Sequence, residues 1–99
     1  MKFVWHDEAL IEYEKASIFY GLREIGLDER FQATIESAIE GICQSPSMWA
    51  VFEGTVRRRV VDVFPYSVIY LEHDGMIVII AVMHGSRKPS YWKDRLAEI

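Results

Sequence analysis

An α+β fold is predicted by three observations. Apolar residues recur at helical spacing in the first half of the chain, they recur at every second position in the second half, and turn-forming residues mark the boundaries. In order the elements read β-α-α-β-β-β, with an N-terminal strand, an antiparallel helical hairpin packed on one face of an antiparallel sheet, and a short C-terminal tail or helical turn.

Phe3-Val4-Trp5 reads as the short opening strand. Asp7 then offers an N-cap, and Glu8 puts negative charge in the first turn, where the helix dipole favours it. Ala9, Tyr13, Ala16 and Tyr20 fall at i, i+4, i+7 and i+11, with Leu10 and Ser17 beside them, which makes one face of an amphipathic helix. Gly26 is the natural stop. Asp28 is expected to cap a second helix, in which Phe31, Ile35, Ala38, Ile39 and Ile42 form the stripe and Pro46 ends the run. The short connection makes the two helices an antiparallel hairpin. Ser45 to Gly54 reads as a connecting loop that holds Trp49.

After Gly54 the period changes to two. Val56, Arg58, Val60 and Asp62 share one face, and Arg57, Arg59, Val61 and Val63 the other. Phe64-Pro65 breaks that strand, and Tyr66 to Leu71 starts the next. His73-Asp74-Gly75 signals a tight hairpin, because glycine accepts the positive φ such a turn needs. The last strand, Met76 to Met83, is apolar on both faces and is therefore placed centrally, with the helical hairpin on one side and a loop or partner near the other.

A chain of 99 residues suits one domain, with a core that needs no metal or disulfide staple. Its 51% apolar and 26% charged residues exclude a disordered chain. Cys43 is the single cysteine, so no internal disulfide can form, and a reducing, cytoplasmic setting is expected. Charge within the first eight residues argues against a secretory signal, and no apolar run approaches the roughly 20 residues of a membrane helix.

Charge is unevenly spread. Residues 1–46 carry four Lys or Arg against nine Asp or Glu, a balance of −5, while residues 47–99 carry seven against six, or +1. An overall charge of −4 argues against broad adhesion to nucleic acid. Yet cations gather in Arg57-Arg58-Arg59 and in the segment from His84 to Arg95, which points to a local anionic partner.

Chemistry on such an anionic partner, a phosphate above all, needs groups that move protons and cations that stabilise charge. His84 is a candidate acid or base, Tyr91 a second proton donor or stacking surface, and Arg58 and Arg87 candidate catalytic clamps on phosphate. Arg57, Arg59, Lys88 and Arg95 are candidate partner- or phosphate-binding residues, and antiparallel pairing of neighbouring strands is expected to bring the arginine-bearing strand beside the end of the last one. Structural alternatives stand beside each: arginine stems covering apolar surface or pairing with carboxylates, His84 fixing the tail, Tyr91 and Trp92 docking it on the sheet. Arg87 follows a Gly-Ser turn and has the least structural reason to be there.

The ordered residues Ala9 through Tyr20, Gly26-Leu27, Phe31, Pro46-x-x-Trp49, Val56-Arg57-Arg58, Phe64-Pro65-Tyr66-x-Val68-x-Tyr70, and His84-x-x-Arg87-x-Pro89-x-Tyr91-Trp92-x-x-Arg95 resemble the RelE/ParE superfamily, toxins of type II toxin–antitoxin and plasmid stabilisation systems. The resemblance implies one toxin domain over residues 1–99, a cognate antitoxin as partner, no cofactor and no membrane role. It implies growth arrest through either DNA gyrase, as in ParE-like members, or ribosome-bound mRNA, as in RelE-like endoribonucleases. The metal-independent cleavage of the latter needs a base for the 2′-hydroxyl, an acid for the leaving 5′-oxygen and cations for the phosphorane, with His84, Tyr91, Arg58 and Arg87 the candidates. The acidic balance and the absence of lysine between Lys15 and Lys88 lean toward gyrase. A non-toxic family member, acting as a binding module or operon regulator, is the alternative.

Overall fold

The computed structural model describes all 99 residues. Strand β1 (Phe3–Trp5) leads into helix α1 (Asp7–Arg23) and helix α2 (Leu27–Gln44). Strands β2 (Ala50–Glu53), β3 (Val56–Val60), β4 (Tyr66–His73) and β5 (Met76–His84) follow, and a 3-10 segment, Lys93–Glu98, closes the chain. The α+β reading from sequence therefore holds.

Four details differ from expectation. His6, not Asp7, caps α1: its Nδ1 accepts the Glu8 amide at 3.1 Å, and Asp7 is the first helical residue. Asp28 does not cap α2 either, because the helix starts at Leu27, behind Gly26 at φ 86°, and Asp28 joins Glu29 in the first turn. The segment read as a loop contains β2, which pairs antiparallel with β3 across a turn where Gly54 has φ 58°. Four residues beside a bulge leave too little alternation to be legible. Finally, the arginine-bearing β3 does not lie beside the last strand, since β4 separates them in the order β1-β5-β4-β3-β2.

β5 is central, as its two apolar faces predict. It runs antiparallel to β4 and parallel to β1, with Phe3, Val4 and Trp5 opposite Ile77, Val78 and Ile79. The Asp74-Gly75 hairpin turn has positive φ at both residues, 51° and 74°. Farther along, Ile69 pairs Ala81 while Tyr70 pairs Ile79, so Ile80 is an extra residue in β5 and bends the strand.

Each face of the sheet has its own core. Beneath the helices, Phe31, Ile35, Ile39 and Ile42 of α2 pack with Ala9 and Ala16 of α1 on Val68, Tyr70, Ile77, Ile79 and Val82. The opposite face groups Val56, Ile69, Leu71, Val78, Ile80 and Met83 around Trp92 of the C-terminal tail, which is fully buried. The tail thus supplies the cover that the sequence left to a loop or a partner.

Candidate functional site at the end of the last strand

β1 stops at Trp5, where the His6 amide still donates to Ile79 O at 2.9 Å. Beyond that point β5 has no neighbouring strand on this side, so its polar backbone groups need other partners. Glu12 of α1 supplies them. Its Oε1 accepts the Val82 amide at 3.1 Å and Arg95 Nη1 at 2.9 Å; its Oε2 accepts Tyr91 Oη–H at 2.6 Å and Arg95 Nη2 at 3.0 Å. Arg95 Nη1 also donates to Ile80 O at 2.9 Å, so the bulge and the tail are tied to one carboxylate.

This ion pair is largely withdrawn from solvent, with side-chain exposures of 13% for Arg95 and 15% for Glu12. Burial opposes the Arg95 charge, but the hydrogen bonds and charge of Glu12 outweigh it and hold the guanidinium above its ordinary range. Burial, then the bond to Glu12, push the Tyr91 hydroxyl well above the usual tyrosine range. Tyr91 thus keeps its proton and spends it on Glu12.

His84 ends β5. Its ring meets Tyr66 edge-on at 5.1 Å, and its Nδ1 accepts the Ser86 amide at 3.0 Å, with Ser86 Oγ at 2.8 Å. Since an amide can only donate, the neutral ring carries its proton on Nε2. The turn closes with the Arg87 amide donating to His84 O at 3.0 Å. Arg87 is exposed and lays its guanidinium 3.8 Å from the Tyr91 ring centroid. His84, Arg87 and Tyr91 are therefore brought together around a shallow cleft of about 260 Å³, with Lys15 and Phe19 of α1 on its far wall.

The other candidates lie elsewhere. Arg58 points to the opposite face, over the Phe52 ring at 4.7 Å, and Phe52 in turn neighbours Trp92. Arg57 donates from Nη1 to Trp49 O at 2.7 Å and Ser47 O at 3.4 Å, fixing the connection after α2. Arg59 donates to Ala38 O at 2.7 Å and stacks on Trp49 at 4.2 Å. Gly41 makes room for it, because a Cβ there would sit 2.3 Å from Arg59 Nη1. Lys88 is exposed and forms no ion pair, while Lys93 pairs with Glu53 at 2.5 Å.

Glu12 is the residue that sequence reasoning missed. Its signal was a carboxylate three residues after Ala9 and four before Ala16, at the margin of the apolar stripe of α1. What the site can do chemically is limited: Arg87, Lys15 and the Nε2–H of His84 can donate to an anion. No group of three or more His, Cys, Asp and Glu residues is placed to hold a metal ion.

Similarity to known proteins supports the same family that the motifs suggested. A solved chain described as "Chromosomal ParDE TA system from P. aeruginosa" shares this fold with a TM-score of 0.69 over 85% of this chain and 95% of that one, at 18% sequence identity. No curated protein matches the chain. Residues 3–89, however, match the family described as the ParE toxin of type II toxin-antitoxin system, parDE. The chain belongs to the ParE toxin family.

Proposed function

We propose that residues 1–99 act as one toxin domain in the cytoplasm, neutralised by a cognate antitoxin and arresting growth, when free, by binding DNA gyrase rather than by cutting mRNA. One observation carries the choice of target. Of the four residues considered for RNA cleavage, Tyr91 borders the cleft but its hydroxyl is bound to Glu12, Arg58 faces the other side of the sheet, and His84 and Arg87 alone bring unengaged polar groups to the cleft. A phosphorane would find cations but no second proton-transfer group beside His84.

A protein-binding role also fits the outward side of α1. Ile18 and Leu22 are 63% and 84% exposed, Phe19 adjoins them at 49%, and Ile25, in the turn just past the helix, is 100% exposed. An exposed apolar stripe of this kind marks a protein contact, for the antitoxin or the target. No helix is long and apolar enough to cross a membrane, so the stripe does not belong to a membrane span.

The test is a supercoiling assay with purified gyrase and the purified chain, run beside primer extension on a defined mRNA in a translation extract. Inhibited supercoiling with intact message is expected. New codon-positioned 5′ ends that vanish in His84→Ala would replace this reading with ribosome-dependent cleavage.

A further inference from the structure

On the flank of α1 that faces α2, the cleft bounded by β1 and the helical hairpin combines two features that the toxin reading does not use. One wall is aromatic: Trp5 lies 5.1 Å from Tyr13 and 6.0 Å from Phe3, centroid to centroid. The facing wall is acidic, because Glu36 and Glu40 project from α2 one turn apart, beside the buried Ile39. The space between measures about 500 Å³.

Neither carboxylate has a lysine or arginine partner within the chain; the ion pairs form at Glu98, Asp74, Glu53 and Glu12 instead. Tyr13 Oη–H donates to Glu36 Oε2 at 2.5 Å, which leaves the other oxygen of Glu36 open. At the rim the Met1 ammonium is engaged with Cys43 O at 2.8 Å. An aromatic face attracts a cation through its quadrupole, and a carboxylate opposite completes the attraction. The flat apolar rings also suit the methylene stem that carries such a head group.

We propose that this cleft receives a lysine or arginine side chain presented by a partner protein, with the aliphatic stem on Trp5 and Tyr13 and the charged head at Glu36. Charge complementarity selects that occupant, since residues 1–46 carry four cations against nine carboxylates and draw a basic surface toward the hairpin. The site is separate from the His84 cleft and independent of the identity of the target.

The experiment titrates the full chain with N-acetyl-arginine methylamide and N-acetyl-lysine methylamide while following the indole N–H resonances of its three tryptophans. Saturable shifts at Trp5 are expected, with Trp49 and Trp92 unmoved as internal references. The uncharged N-acetyl-citrulline methylamide should shift nothing. Glu36→Gln, which can still accept from Tyr13, should weaken binding about fivefold. Equal shifts with the citrulline compound, unchanged binding in Glu36→Gln, or no shift at Trp5 would each overturn the proposal. Tighter binding of tetramethylammonium than of either amino-acid probe would overturn the protein side chain as occupant in favour of a free small cation.

Discussion

On one face of the sheet two long helices bury a core of 14 residues; on the other, seven buried residues are closed by one tryptophan from the C-terminal tail. The helical face is held many times over, by stacked aromatics from Trp5 through Tyr13 and Phe31 to Phe64. The tail face depends on a few anchors: Trp92 in the core, Glu12 bonded to Tyr91 and Arg95, and Lys93 on Glu53. A short tail cannot bury much apolar surface, so a polar hub must fix what packing alone would leave loose.

This contrast can be broken most severely at its thinnest point. Trp92→Ala should cost about 3–5 kcal/mol in chemical denaturation, as for other large buried aromatics. Phe31→Ala should cost as much, but only the Trp92 change should also raise amide exchange selectively over Lys93–Glu98. Equal exchange throughout the chain would show that the two faces unfold as one unit.

Next in size is the hub. Glu12→Ala leaves the Arg95 charge and the Val82 amide without their partner and should cost about 3 kcal/mol. Adding Arg95→Ala should cost far less than the sum of the two single changes, because the two residues act as a pair. An additive double mutant would remove Glu12 from this role.

On the helical face Arg59→Ala should cost only about 1–2 kcal/mol, the loss of one hydrogen bond to Ala38 O and its stacking on Trp49. Arg59→Lys should fail to restore it, since a lysine lacks the planar fork.

Alkali sharpens the contrast by titration. All five tyrosines have their hydroxyls pushed above the ordinary value of 10.0, with burial the first cause in each; Glu36 adds to the rise at Tyr13 and Glu12 at Tyr91. The unfolded chain then loses these protons first, so stability is full below pH 10 and falls as pH rises beyond it. Tyr91→Phe should make that decline shallower in melts recorded across this range.

The smallest stability effect is expected at Arg87, which is exposed and stacked only on Tyr91. Arg87→Ala should shift stability by less than about 0.5 kcal/mol while weakening growth arrest on induced expression. Unchanged arrest would place the toxic surface elsewhere, with the apolar stripe of α1 the next place to mutate.

Much of this fold was legible because local rules agreed. The helical stripe of α2 is buried at Phe31, Ile35, Ala38, Ile39 and Ile42, and the apolar run of the last strand did put it inside the sheet. β2 was missed because a four-residue edge strand has little periodicity of its own; it exists only because β3 offers an edge across Gly54. The cation-rich ending was legible as a cluster of residue types, but not as a geometry. His84, Arg87 and Tyr91 are neighbours through one turn and one short tail, whereas the grouping of Tyr91 and Arg95 on Glu12 spans about 80 residues of chain.

By itself, the sequence determined the helices, the Asp74-Gly75 hairpin, the burial of β5 and the family, since each rests on nearest-neighbour conformational preference, short-range periodicity or ordered motifs. Tertiary structure alone decided which charges remain available. Arg57, Arg59 and Arg95 look alike in sequence to Arg87, yet the first three meet backbone carbonyls or a buried carboxylate, while Arg87 meets solvent and the face of Tyr91. A buried or half-buried charge must find a partner wherever the fold places one, and that partner can lie anywhere in the chain.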